Sequence, residues 1–357
     1  METIRVGIIG AGGIAQYGHL PAYQKIPGVE VAAVADINEK KSAYVAERFG
    51  IPQRFVDYRE MLEKANIDAV SICTPNYLHR EMSVNALNAG KHVLCEKPVA
   101  VTGEDAEAIV AAAEASGKVF MAAFCQRFTG ASRVLKKFIE EGKLGDIYYA
   151  KGSYIRRRGI PGLGGWFTTK SLSGGGCMLD IGVHVLDRVY WLMGAPEPVA
   201  VSGAVYQAFR DNAVDGGWPP LETRIGDVFV GINDVEDMAS GYVQFANGAT
   251  LVLEASWAGN CEPNSYLQLF GTKAGALEDA RGLRIFGEEA GSLLDIEPLV
   301  DKEINVYEAE IAHFIDCIRE GKQPLTTARE IINVAKIIEA VYLSANQNGR
   351  QVEISEL

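Results

Sequence analysis

The stretch Ile4-Arg5-Val6-Gly7-Ile8-Ile9-Gly10-Ala11-Gly12-Gly13-Ile14-Ala15 decides the fold. A branched, apolar run without alternation reads as a strand buried on both faces. It ends at closely spaced glycines, and residues 14–26 then carry helical spacing. The pattern GxGxxA between a strand and a helix is the context of a dinucleotide-phosphate loop. Gly10 permits the tight turn, and Gly12 lets backbone approach a pyrophosphate where a Cβ would clash. Ala15 permits close packing of helix on strand. Gly13 and Ile14 open the helix, whose free N–H groups and positive dipole end suit phosphates.

Outward from this stretch the pattern repeats. Apolar runs at 29–35, 69–73, 92–95 and 119–124 alternate with helical stretches at 38–49, 58–65, 78–89 and 104–116. Repeated βαβ units predict a parallel sheet with right-handed crossovers. Asp36 closes the second strand, 21 residues after Ala15. An acid there accepts hydrogen bonds from the adenosine ribose hydroxyls, and its charge repels a 2′-phosphate. NAD is therefore expected over NADP, with Lys40 and Lys41 the nearby opposing charges.

The second half reads differently. Residues 132–141 look helical and 147–155 look like a strand. A Gly-rich segment at 159–176 precedes a helix at 178–193. From about 198 to 287 strands and turns dominate, with strands at 199–206, 239–245, 250–257 and 266–271. Asn247-Gly248 is a hairpin signal. Helices at 304–320 and 328–346 close the chain. The expected fold is an α/β nucleotide-binding domain at 1–125. An α+β domain with a large, mostly antiparallel open sheet is expected at 126–357, its last helices able to pack back on the first domain.

Composition narrows the function. The chain has 357 residues, 48% hydrophobic and 22% charged, with net charge −12. That length suits two domains with sizeable cores. The acidic balance argues against nucleic-acid or anionic-membrane binding, which need a positive field. Arg156-Arg157-Arg158 reads as a solvated strand end or loop. Six cysteines lie far apart without a CxxC pair, which fits reduced thiols in the cytoplasm better than disulfides or zinc. No apolar run is long enough to span a bilayer.

Three more stretches stand at positions where chemistry occurs. Cys73-Thr74-Pro75-Asn76-Tyr77-Leu78-His79 and Cys95-Glu96-Lys97-Pro98 both leave the carboxyl ends of predicted strands, where open α/β sheets bind ligands. In Gly174-Gly175-Gly176-Cys177-Met178-Leu179-Asp180-Ile181-Gly182-Val183-His184, Asp180 and His184 are neighbours on one helix face, with Asp187 at i+7. No third ligand sits at a metal spacing, so no metal is expected.

Taken together and in this order, GIIGAGGIA, CTPNYLH, CEKP and GGGCMLDIGVH resemble the Gfo/Idh/MocA family of oxidoreductases over nearly the whole chain. The run RGIPGLGGWFTTKSLSGGG is similar to that of a sugar-dehydrogenase-like subgroup. The resemblance implies a Rossmann domain followed by an α+β domain. It implies that Lys97 contacts nicotinamide and the substrate hydroxyl, and that Asp180 and His184 complete the site, the histidine carrying a proton. It also implies cofactor contacts from Thr74, Pro75, Asn76, His79, Glu96, Gln126 and Arg127. Ala15 in place of the third glycine is a tolerated variant.

The chemistry suits these residue types. Oxidising a secondary alcohol passes a hydride to NAD and a proton to a base. Histidine titrates near neutrality, so His184 fits that role. Asp180 either binds a substrate hydroxyl or biases the imidazole tautomer. Lys97 either stabilises negative charge on the substrate oxygen or, with its pKa lowered, takes the proton itself. Arg127, Tyr154, Arg156 and Trp166 are the expected pocket lining, because sugars present polar edges and apolar faces. His19, His92 and His313 read as packing or surface residues.

The expected activity is NAD-dependent hydride transfer with a sugar, sugar derivative or inositol. Two alternatives are an NAD-recycling glycosidase and a non-catalytic NAD-binding regulator, against which the Lys97, Asp180 and His184 set counts. A homodimer or homotetramer built through the second-domain sheet is expected, since helices on one face leave the other to bury.

Overall fold

The computed structural model describes residues 3–227 and 231–357. In the first half, β1 (Ile4–Ile9), β2 (Val29–Ala35), β3 (Gln53–Phe55), β4 (Ala69–Ile72), β5 (His92–Glu96) and β6 (Phe120–Ala123) form one sheet. Its order is β3-β2-β1-β4-β5-β6, and all its pairings are parallel. The order reverses between β1 and β4, which opens a crevice at their carboxyl ends. The connecting helices are α1 (Leu20–Lys25), α2 (Glu39–Phe49), α3 (Tyr58–Lys64), α4 (His79–Asn88) and α5 (Gly103–Ser116). Strand β3 escapes a reading by periodicity because it is three residues long and mostly polar.

The helix expected at 14–26 is two pieces. Ala15–His19 winds as a π-helix, with the Leu20 N–H bonded to the Ala15 carbonyl. Only then does α1 begin, with Pro21 in its first turn. Proline has no N–H to return to the preceding turn, so a regular α-helix cannot run through it.

The second half holds α6 (Gly130–Glu140), β7 (Ile147–Ile155), the short α7 (Lys170–Ser173) and α8 (Val183–Leu192). Then follow β8 (Pro198–Tyr206), β9 (Met238–Phe245), β10 (Thr250–Ser256), β11 (Asn264–Gly271), β12 (Gly275–Asp279), β13 (Gly282–Glu289) and β14 (Ser292–Ile296). The chain ends with α9 (Val306–Glu320), α10 (Ala328–Asn346) and β15 (Val352–Glu353). The nine strands pair in the order β14-β13-β12-β11-β7-β10-β9-β8-β15. All neighbours are antiparallel except β7 and β10. Asn247-Gly248 does turn β9 into β10, Gly248 taking φ +83°. No individual strand is expected at β12 to β14; β12 and β14 are only five residues long, and β14 is exposed throughout.

Sheet periodicity sets which face is covered. In β9 the residues Ala239, Gly241, Val243 and Phe245 are buried and their neighbours are not. The buried face packs on α8 and α10. Helix α10 also reaches α5, and α9 lies against α1. The last two helices thus tie the second half to the first.

Candidate active site and cofactor cleft

A cavity of about 900 Å³ lies between the two sheets, and both halves of the chain line it. Its floor is the switch point. Gly10, Asp36, Thr74 and Lys97 each follow the end of β1, β2, β4 and β5 and reach the cavity wall.

The glycine loop is shaped for an anion. Gly10 adopts φ +93°, and a Cβ there would lie 2.7 Å from the Cys73 carbonyl oxygen. Only glycine fits that turn. The space before Gly12 is open, and Gly12, Gly13 and Ile14 all border the cavity. Asp36 clasps the loop: one carboxylate oxygen accepts the Ala11 N–H at 2.8 Å and the other the Asn38 N–H at 2.8 Å. Open backbone at the loop and a carboxylate at the end of β2 fit a dinucleotide pyrophosphate and ribose.

Lys97 Nζ donates to Asp180 Oδ1 at 2.9 Å and to the Asp180 carbonyl at 3.0 Å. Asp180 Oδ2 accepts the Trp257 indole N–H at 2.9 Å. Burial opposes the charge on Lys97, but the Asp180 carboxylate, helped by Glu96, outweighs it and holds the ammonium above its ordinary range. Burial likewise opposes the Asp180 carboxylate, and Lys97 outweighs it and holds the acid low. The pair is charged on both sides.

His184 lines the same cavity, with Nδ1 buried and unpartnered among the described residues. Burial, helped by the positive charge of Lys97, pushes its imidazole down to about 3. It is a neutral ring at any working pH. Asp180 sits in a π-helical turn, Met178–Gly182, that runs into α8. Glu236 holds the start of this turn, accepting the Gly176 and Met178 N–H groups at 2.8 and 3.1 Å. A carboxylate at a helix start satisfies free N–H groups and the dipole together.

Glu96 lines the cavity and is braced from below. His19 Nε2 lies 2.9 Å from Glu96 Oε1, and His19 Nδ1 meets Ser71 Oγ at 3.1 Å. Burial opposes the Glu96 charge, and the hydrogen bond from His19 outweighs it. Thr74, Pro75, Asn76 and Gln126 reach the cavity as well. Asn76 also ties the halves together, donating to the Ser173 carbonyl at 2.7 Å.

On the opposite wall stand Tyr154, Arg156 and Trp166. Arg156 lies 5.0 Å over the Tyr154 ring, and Trp166 stacks on Phe167 at 3.8 Å. The Trp166–Phe167 stack offers a flat apolar face and Arg156 a charge, a combination that suits a polyhydroxylated ring.

Two expected site residues do not reach the cavity. Arg127 is turned into the core by the helical turn Cys125–Phe128, its side chain fully buried. It forms bonds of 2.6 to 3.2 Å with Asp187 and meets Glu330 at 3.2 Å. A buried guanidinium takes its carboxylates from within the fold, so Asp187 is its partner rather than a neighbour of Asp180 in the site. His79 is also buried, its nitrogens 2.7 Å from the Pro98 carbonyl and 2.9 Å from that of Thr74. It braces the two loops that carry Thr74 and Lys97.

Sequence reasoning missed Trp257, Tyr307, Trp218 and Asp227, which line the cavity. Trp257 follows β10, Trp218 and Asp227 lie in the segment after β8, and Tyr307 opens α9; all are far along the chain and carry no local motif. Among the described residues there is no His, Cys, Asp or Glu cluster able to hold a metal ion, and no helix long and apolar enough to cross a membrane.

Comparison with known proteins agrees with this geometry. Residues 4–124 match the model of an oxidoreductase family with an NAD-binding Rossmann fold, and 136–354 match its C-terminal alpha/beta domain. The chain is 32% identical over 358 residues to D-glucoside 3-dehydrogenase of Escherichia coli, covering 99% of this chain and 98% of that one. It is 29% identical to the NAD-dependent scyllo-inositol 2-dehydrogenase of Bacillus subtilis, covering 99% and 97%. A levoglucosan dehydrogenase solved with NADH and levoglucosan superposes with TM-score 0.84 at 27% identity, covering 99% and 100%. Motifs, topology and full-length matches converge: the chain belongs to the Gfo/Idh/MocA family of oxidoreductases, with an NAD-binding Rossmann domain and an alpha/beta C-terminal domain.

Proposed function

We propose that this NAD-dependent dehydrogenase oxidises a secondary hydroxyl of a sugar, sugar derivative or inositol, with Lys97, Asp180 and His184 as its reacting set. The Lys97–Asp180 pair beside the unpartnered His184 carries the reading. NAD, when bound, supplies the hydride acceptor. The pairing keeps Lys97 protonated, which suits it to stabilise negative charge growing on the substrate oxygen. It also removes Lys97 as a proton acceptor, leaving the imidazole of His184, which lines the cavity with Nδ1 unpartnered among the described residues, as the group placed to take the hydroxyl proton. Asp180 orients Lys97 and is itself held by Trp257. Tyr154, Arg156 and Trp166 form the substrate wall, and Gly10, Gly12, Gly13, Ile14, Asp36, Thr74, Pro75, Asn76, Glu96 and Gln126 the cofactor wall.

The relatives named for D-glucoside and levoglucosan support a pyranose ring as the first substrate to test. The chain divides near residue 125, the first part holding the dinucleotide and residues 126–357 the substrate and subunit contacts. Six unbridged cysteines support a cytoplasmic location. The test is net NADH formation across D-glucosides, levoglucosan, free sugars and inositols. Accumulation of NADH with at least one of them is expected. Glycoside cleavage without net NADH would instead establish cofactor recycling.

A further inference from the structure

The segment after β8 leaves the second domain and crosses the dinucleotide end of the cleft. Trp218 meets the Tyr17 ring edge-on at 4.5 Å. Pro219 closes on the glycine loop, where a Cβ at Gly13 would lie 2.7 Å from its own Cβ. Asn38, at the start of α2, donates to the carbonyls of Ile225 at 3.2 Å and Gly226 at 2.8 Å. Next in sequence, Asp227 forms an ion pair with Lys41.

That last contact changes the charge on the wall. Lys41, Asp227, Arg224 and Asp36 all line the cavity. The Lys41 side chain is only 10% exposed. Left alone, its ammonium would stand on the same wall as Asp36 and offset the charge that repels a 2′-phosphate. Asp227 takes that ammonium. Arg224 is occupied in the same way, its guanidinium bound to Asp215 at 2.8 and 3.1 Å. Both cations that this segment and α2 bring to the cavity are therefore spoken for by carboxylates. The local balance of Asp36, Lys41 and Asp227 is one net negative charge.

We propose that Asp227 is a cofactor-selectivity residue: by pairing with Lys41 it withholds from a 2′-phosphate the cation that would otherwise bind it. Selectivity for NAD then depends on a residue of the second domain as well as on Asp36. The inference rests on the NAD assignment and deepens it.

The test titrates NAD and NADP separately into the protein by intrinsic fluorescence. Asp227→Asn, and Asp227→Ser should the first variant fold poorly, should tighten NADP binding by roughly tenfold, the worth of one charge-assisted hydrogen bond. NAD binding should change by less than about threefold, because the ribose hydroxyls do not need the ammonium. The gain should shrink with added salt and vanish in Asp227→Asn combined with Lys41→Gln. An unchanged NADP-to-NAD ratio, with NAD still bound, overturns the proposal alone. A gain that survives Lys41→Gln also overturns it. Wild-type protein that binds neither dinucleotide overturns the cofactor assignment and the proposal with it.

Discussion

Lys97 and Asp180 lie 83 residues apart and meet at 2.9 Å, Nζ donating to Oδ1. The contact joins the end of β5 to the π-helical turn before α8. Each partner offsets the cost of burying the other's charge, so a cation and an anion persist together in the cleft.

Replacing Lys97 by Ala should cut turnover by roughly 10²–10⁴-fold, since the charge opposite the reacting oxygen disappears. His184→Ala should cost a similar factor while leaving NAD affinity nearly unchanged, because that residue stands on the second-domain wall. Steady-state kinetics with a responsive sugar, beside NAD titration, checks both. Near-normal turnover in His184→Ala would remove the histidine from the proton path.

The pH profile should differ from that of an ordinary histidine base. Burial pushes His184 down to about 3, so it is already deprotonated throughout the neutral range. In kcat/KM for oxidation no inflection should appear near 6.5, the usual histidine value. At the alkaline end, rate should fall only as Lys97 loses its proton, above its ordinary 10.5. Asp180→Asn removes the carboxylate that holds Lys97 high, so this limb should move toward neutral pH. A limb near 6.5 that disappears in His184→Asn would show the imidazole titrating freely.

Arg127 should behave as a stability residue. Arg127→Met leaves Asp187 and Glu330 buried without their cation, at a cost of about 3–5 kcal/mol. Urea unfolding measures this loss, and NAD affinity of the folded variant should stay within about twofold. Weakened NAD binding at unchanged stability would return Arg127 to the cofactor site.

The uncovered face of the second sheet should form a subunit contact. Tyr242 and Tyr206 stand on it, 39% and 54% exposed, with Val252 directly across from Tyr242. Aromatic side chains on an open sheet are suited to burial against a second copy. Sedimentation should show a homodimer or homotetramer at micromolar concentration, and Tyr242→Glu should shift it toward monomer. A wild-type monomer at that concentration would dismiss the interface.

The sequence by itself determined the Rossmann half and the local motifs that border the cavity. Apolar runs such as 4–9 and 29–35 carry their own periodicity, and GxGxxA, EKP and the Asp180–His184 spacing are local patterns in which chemistry and backbone shape coincide. Only tertiary structure decided what these residues touch. Arg127 read as a site residue because position beside Gln126 cannot reveal Asp187 and Glu330, which are 60 and 203 residues away. The protonation state of Lys97 could not be read from CEKP, since it depends on a carboxylate brought in by another domain and on burial. Trp257, Glu236 and Asp227 were invisible for the same reason. Local patterns report what a segment's own backbone prefers, whereas charge state and ion pairing depend on distance in space, and chain folding sets that distance.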